Sequence, residues 1–479
     1  MMRAGRTPAE LSREKEIMDP QNQTGETGAA ATANDSQEIT APIILDADTG
    51  TDDALAIGLL MAYAPERLVS VIATYGNVLQ SVAQQNTRDV LNLLGGSDIP
   101  VLDGCRCPSW AEGFAADKAC AHFHGDNGIA DLNIADYARM ETTAGGTASV
   151  LYNGAVYDFS SNNIDFTAAG TVSAGMFGAN QQDAKKTAQR DAWRDEPQSL
   201  LSAQPDVRAH MASPIISIGG YLPRQQADAS SAPQRGRNTL GTLADEYGKV
   251  EMGIVPGDTA GVKAIIDGVH QWGKNLTVIS TGPLTDIAAA ITIAPDIAPQ
   301  LRLVMMGGAL TQQGNCFDMV SETNILQDPE SADLVLRSQA DVTMIGLDVT
   351  HRCLLPSELT EPWSQIDGGV GRFFADLASF MIKANEDADS AFAVGAPLHD
   401  PLAVAAALDS TLVQTFDVAL RVDVATGDRQ GVRGRTIGDM ARLNDPTASC
   451  THVAIAVDSM RFLNMFTGGI STLSQRLAK

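Results

Sequence analysis

The chain has 479 residues, 44% hydrophobic and 19% charged, a composition that supports a large buried core and excludes a disordered polyelectrolyte. Lys plus Arg number 33 against 58 Asp plus Glu, a formal net charge of -25, so neither nucleic acid nor an anionic membrane surface is an expected partner. No stretch approaches the roughly 18 apolar residues of a membrane span; the best candidate, Ile287 to Ala298, is broken by Pro295 and Asp296.

Residues 1–40 contain three branched aliphatics (Leu11, Ile17, Ile39) and no aromatic, and read as a disordered tail. The folded part begins at Pro42. The apolar run Ile43 to Ala47 predicts a buried parallel strand, and the spacing after Asp52 a helix to Tyr63. A strand over Leu68 to Tyr75 and a helix over Ser81 to Leu94 follow. Alternation resumes with a helix over Thr259 to Trp272, a strand over Leu276 to Thr281, a helix over Pro283 to Ile293 and a strand over Leu301 to Met306. Helix Pro329 to Ser338, strand Val342 to Leu347, and helices Val370 to Ala384 and Asp400 to Leu408 come next. Strands at Val418 to Val424 and Val453 to Val457 close the series. Such alternation predicts an α/β fold, a mostly parallel central sheet with helices on both faces, whose ligands bind beyond the carboxyl ends of the strands.

Between residues 133 and 249 the pattern breaks. Ala148 to Phe159, with Asn153-Gly154 at its centre, carries the signature of a type I′ hairpin. Gly-, Ala- and Ser-rich stretches, a mixed-charge patch (Asp183 to Glu196) and a polar linker (Arg224 to Asn238) surround it. The expected organisation is one catalytic domain, residues 41–132 and 250–479, with a partly ordered insertion at 133–249. Attached at the rim of the expected pocket, the insertion reads equally well as a lid or subunit contact and as a tolerated excursion. Six scattered cysteines read as reduced structural thiols, and the chain lacks an apolar leader core near its start, so a cytoplasmic location is expected.

The strongest chemical signal is Asp46-Ala-Asp48-Thr-Gly50-Thr-Asp52-Asp53. Four carboxylates crowd one strand-to-helix junction, and so much like charge needs a compensating cation. An all-oxygen ligand set favours a hard ion, Ca²⁺ or Mg²⁺. Downstream, His399-Asp400 opens a helix, Ser280-Thr281-Gly282 and Met306-Gly307-Gly308 end two strands, and Asn315, Glu322 and Asn324 offer groups for sugar hydroxyls.

These residues together resemble the inosine–uridine-type nucleoside hydrolases, in the branch that carries an active-site histidine. The Asp-x-Asp-x-Gly-x-Asp-Asp-Ala opening stands at Asp46 to Ala54. Thr74 to Val78, His124-Gly125-x-x-Gly128, Thr281 to Ala288, Gly314-Asn315, Glu322 to Ile325, Asp328-Pro-Glu330, Leu347 to His351 and Gly395 to Pro401 match in order. The resemblance implies a Rossmann-like nucleoside hydrolase fold and Ca²⁺-dependent cleavage of the N-glycosidic bond of a ribonucleoside. It assigns Asp48, Asp53, Asp400 and the Thr281 carbonyl to Ca²⁺, and makes Asp48 the base that takes the proton from the Ca²⁺-bound water. Asp52 and Asn324, with Asn77 nearby, would hold the 2′- and 3′-hydroxyls. Asn315 and Glu322 would hold the 5′-hydroxyl, Met306 would lie beneath the sugar, His124 near the substrate, and His399 would protonate the leaving base. Asp46 would orient the loop. A homodimer or homotetramer is implied by the same analogy.

Departures from the family pattern are Ser321 and Thr323 on the sugar side, Asp286 in place of a usual Asn, a longer loop between Met306 and Asn315, and the insertion. Aromatic content of 5% limits stacking platforms and leans the expectation toward uridine over purine nucleosides. Two rivals are a non-catalytic nucleoside-binding protein on this fold and a haloacid-dehalogenase-type phosphatase with a nucleophilic Asp46. Gly50 and the Asp52-Asp53 pair fit the latter poorly.

Overall fold

The computed structural model describes residues 41–140, 149–152, 155–158, 221–223, 251–252, 259–316, 318–426, 432–442, 445 and 448–478. Eight strands form the main sheet: β1 (Ile43–Ala47), β2 (Leu68–Ala73), β3 (Val101–Asp103), β4 (Thr277–Ser280), β5 (Arg302–Met306), β6 (Asp341–Ile345), β7 (Val413–Val418) and β8 (Thr451–Val457). Their spatial order is β7-β8-β6-β5-β4-β1-β2-β3. All neighbours are parallel except β7, which runs antiparallel to β8 at one edge. The chain winds from β1 outward to β3, then restarts on the other side of β1 with β4. The order therefore reverses between β1 and β4, where the connections after the two strands diverge and open a crevice.

Among the described residues, nine helices of seven or more residues accompany this sheet: α1 (Thr51–Tyr63), α2 (Gln80–Leu93), α3 (Lys118–His124), α4 (Ala260–Trp272), α5 (Thr285–Ile293), α6 (Pro329–Leu336), α7 (Gly369–Ala388), α8 (His399–Leu408) and α9 (Ser459–Leu477). Strand periodicity sorts the two faces. Ile43, Leu45 and Ala47 of β1 join the core built with α1, α7, α8 and α9, while Ile44 joins the core built with α4, α5 and α6. Thr51 to Met61 of α1 are all buried, so this helix lies sandwiched and shows no polar face. Helix α8 packs against it. The parallel sheet and two-faced helical cover are those the alternation implied, and element ends agree within a few residues for most of them.

Two differences have physical causes. The expected strand Val418 to Val424 is divided. Val413–Val418 stays in the sheet as β7, whereas Leu420–Val422 leaves to pair with Thr436–Gly438, because Leu420 and Val422 are buried against α6. Helix α9 went unread, although Phe462, Leu463, Phe466, Ile470 and Leu473 repeat at helical spacing and Asp458 caps it by accepting from the Arg461 N–H.

The expected hairpin pairs as read, Ser149–Tyr152 antiparallel to Ala155–Asp158, while its Asn153-Gly154 turn lies outside the described residues, as do the tail, the mixed-charge patch and the polar linker. Tyr221–Pro223 and Glu251–Met252 both pair with Ala111–Phe114 in a small antiparallel sheet. Ile134 and Tyr137, placed in the insertion by sequence, are buried in the main core, where the Tyr137 hydroxyl donates to Asp376 at 2.9 Å.

Gly346, directly after β6, is packed against backbone: a Cβ there would stand 2.6 Å from the carbonyl oxygen of Gly308. Gly346→Ala is therefore expected to cost about 1–3 kcal/mol by overpacking. The measurement is a urea titration, expected to show a lower midpoint at unchanged slope.

Candidate active site

The acidic junction sits at the crevice that the strand reversal opens. Gly50 lets the backbone pass close to neighbouring side chains: a Cβ at 50 would lie 2.6 Å from His124 Nδ1 and 2.8 Å from Asn77 Nδ2. Asp53, in the first turn of α1, reaches back so that its Oδ2 accepts the Gly50 N–H at 2.8 Å, while its Oδ1 accepts from the Thr281 hydroxyl at 2.7 Å. Asp48 accepts the Asn77 backbone N–H at 2.6 Å, and the Asn77 side-chain amide bridges Asp48 (3.3 Å) and Asp53 (3.2 Å).

Asp52, Asp53 and Asp400 bring one carboxylate oxygen each within 4.8 Å of one another. Asp48 stands immediately beside this trio and interacts electrostatically with all three. Burial, followed by mutual repulsion, raises Asp48 and Asp400 well above the usual carboxylate range and brings Asp53 up to about 6. Asp52 is raised by burial as well, and its charge is the neighbour that most raises Asp400. Oδ1 of Asp52 is buried without a hydrogen-bond partner among the described residues. Crowded acids and an orphaned oxygen fit a hard divalent cation.

Asp46 is separate from this group. It receives the Ser280 hydroxyl at 3.4 Å and lies near Asp286, whose carboxylate accepts the Cys105 N–H. Fully buried and away from the cavity wall, its carboxylate is not presented to a phosphoryl group.

A cavity of about 1420 Å³ opens over the trio. Asp52, Asn77, His124, Thr281, Met306, Asn315, Glu322, Asn324, His399 and Asp400 all line it; Asp48 and Asp53 are buried behind them. The Thr281 carbonyl accepts from the Asn324 side-chain amide at 2.8 Å, as does that of Met306 at 3.2 Å. Glu322 caps the short helix Thr323–Gln327, accepting N–H groups of Asn324, Ile325 and Gly308. Asn315 Oδ1 accepts the Thr323 N–H and hydroxyl, which leaves its Nδ2 as the donor for the cavity.

Two histidines have defined surroundings. His124 Nδ1 accepts the Thr51 N–H at 3.2 Å, so its proton resides on Nε2, and burial lowers its pKa to about 4. His399 Nδ1 pairs with the Thr350 hydroxyl at 2.9 Å, and burial next to His351 and His124 pushes it down to about 3. His351 meets His399 edge-on at 5.7 Å, and Phe392 meets His351 at 5.2 Å. Thr350, His351 and Phe392 were not read as site residues; the Leu347 to His351 motif was visible, but only the fold brings it to His399.

The chain is similar to known hydrolases over this same region. It is 33% identical to the pyrimidine-specific ribonucleoside hydrolase RihA of Escherichia coli O9:H4 (strain HS) over 218 residues, 45% of this chain and 67% of that protein. RihA of Shewanella baltica (strain OS155) is 31% identical over 46% of this chain and 67% of its own length. Among solved structures, a purine-preferring ribonucleoside hydrolase from Gardnerella vaginalis superposes with a TM-score of 0.61 at 32% identity, covering 91% of this chain and 99% of its own. The family profile described as inosine-uridine preferring nucleoside hydrolase matches residues 43–464, so the chain belongs to that family and is a ribonucleoside hydrolase.

Proposed function

We propose that the chain cleaves ribonucleosides to ribose and free base with Ca²⁺ held by Asp48, Asp53, Asp400 and the Thr281 carbonyl. The observation that carries this reading is the buried carboxylate group beneath a cavity lined by hydroxyl-binding side chains. Ca²⁺ in that position supplies Lewis acidity that makes water a competent nucleophile near neutral pH. Asp48, held by both Asn77 donors, accepts the proton as the water oxygen bonds to the anomeric carbon and the C–N bond breaks. Asp52, Asn77 and Asn324 hold the 2′- and 3′-hydroxyls, so carboxylate charge faces the positive character that develops on the ribose ring. Met306 supports the sugar from below, His124 borders it, and Asn315 and Glu322 take the 5′-hydroxyl.

His399 gives the departing base its proton. Its Nδ1 pairs with the Thr350 hydroxyl at 2.9 Å, and the form that donates is the imidazolium, which returns to neutral imidazole as one proton passes to the base nitrogen and the C–N bond breaks. No helix among the described residues is long and apolar enough to cross a membrane.

Incubation with uridine or inosine is expected to release free ribose, and exhaustive chelation to abolish it. Ca²⁺ should restore the activity better than Zn²⁺, because every assigned ligand is oxygen. Full activity in a verified metal-free sample would overturn the mechanism.

His399→Ala is expected to slow natural nucleosides by about 10²–10⁴-fold. Nitrophenyl riboside, whose leaving group needs no proton, should be nearly unaffected. Equal losses on both substrates would assign His399 to positioning.

The raised carboxylates also set a pH dependence. A carboxyl group whose folded pKa exceeds its unfolded value binds more protons when native, so folding loses stability as pH rises between the two values. For Asp53 that window runs from its ordinary value of 3.8 to about 6. Ca²⁺ replaces those protons, so the rise in Tm on adding Ca²⁺ is expected to grow from pH 5 to pH 7.5. An equal rise at both pH values would remove these carboxylates from the ligand set.

A further inference from the structure

One wall of the cavity is formed by the loop between β5 and the helix Thr323–Gln327, described over residues 307–316 and 318–322. Apolar packing holds it weakly: Gln313 and Met319 are exposed, and Gln312 and Asn315 half-buried. Charge holds it instead. Asp348, after β6, accepts the N–H groups of Leu310, Thr311 and Gln312 at 2.8, 2.7 and 3.1 Å, and the Thr311 hydroxyl at 2.6 Å. The carbonyls of the same stretch turn the other way and meet Arg435, which directly precedes the strand Thr436–Gly438 paired with Leu420–Val422.

Arg435 Nη2 donates to the Leu310 carbonyl at 2.9 Å, and Nη1 donates to the carbonyls of Gln312 at 3.0 Å and Val320 at 2.5 Å. The first two acceptors lie on the outgoing limb of the loop and the third on the returning limb. One planar cation thus ties both limbs together on either side of Asn315. Next to it, the Thr436 hydroxyl donates to the Ala309 carbonyl at 2.8 Å. The guanidinium does not line the cavity.

We propose that Arg435 is a positioning residue for ribose 5′-hydroxyl recognition, setting the spacing between the Asn315 amide and the Glu322 carboxylate across the loop. The proposal rests on the reading of Asn315 and Glu322 as the 5′-hydroxyl ligands. Arginine suits this role because its donors lie in a fixed fork and reach separate acceptors at once. Lysine carries the charge as a single point and holds the limbs less well. Misplacement of a binding group by about 1 Å is enough to lose roughly 10²-fold in rate.

The test is kcat/KM for uridine and for 5′-deoxyuridine, measured on the Ca²⁺-loaded full chain as wild type, Arg435→Gln, Arg435→Lys and Asn315→Ala. Arg435→Gln is expected to lower uridine cleavage by about 10–10²-fold, with 5′-deoxyuridine cleavage changed less than about threefold; Arg435→Lys should fall between it and wild type. A merely structural role would slow both substrates alike, and that result, or no change on either, overturns the proposal. Should Arg435→Gln not fold, the same ratio is read from Arg435→Lys. Asn315→Ala separates the two failures. If it erases the preference for uridine while the Arg435 variants keep it, only the role of Arg435 is wrong. If Asn315→Ala slows both substrates equally, the 5′-hydroxyl assignment is wrong and the Arg435 proposal falls with it.

Discussion

Burying several carboxylates within touching distance is costly in any fold, because each one loses hydration and raises the energy of the others. Asp48, Asp52, Asp53 and Asp400 meet under this condition at the foot of one cavity. Much of the surrounding structure serves to make the arrangement tolerable. The N-terminus of α1 brings its dipole to Asp52 and Asp53. Backbone and side-chain donors of Asn77, together with Gly50 and Thr281, take up the remaining lone pairs of Asp48 and Asp53. What those donors leave unmet, at Asp52 and Asp400, is where a cation has most to offer.

The sheet explains why these groups converge although Asp400 follows Asp53 at so great a distance along the chain. Residues at the ends of β1 and β4 flank the reversal of strand order, and α8 packs on α1, so the first turns of the two helices meet. Charge is thus delivered by two helix starts, and polar cavity-lining groups by the ends of β4 and β5 and the loop that follows. The same loop is bound by charged side chains of two later segments, so the shape of the cavity depends on parts of the chain remote from the acidic motif.

How much of this was legible in the sequence follows from how local each signal is. The Asp46 to Asp53 cluster is contiguous, and like charge at that density has few physical meanings, so the metal-binding character could be read directly. Alternating apolar runs disclosed the parallel sheet for the same reason. Thr350, His351, Phe392 and Arg435 carry no such signal. A threonine beside a histidine, or an arginine in a hairpin, is ordinary until the fold shows that Thr350 meets His399 and that Arg435 meets three carbonyls. The division of the expected strand at Val418 had the same cause: apolar alternation continues through Ala419 while the partner changes from β8 to Thr436–Gly438.

The small sheet around Ala111–Phe114 bears on how such a chain could acquire extra sequence. Tyr221–Pro223 and Glu251–Met252 flank that one strand on its two sides, and Phe114 packs its ring 4.9 Å from Tyr75 in the core beneath. These pairings join residues more than a hundred positions apart in the chain, and the entropy of closing such a separation grows only logarithmically with the number of residues enclosed. A change in the length of the intervening chain therefore leaves the register of every strand of the main sheet untouched.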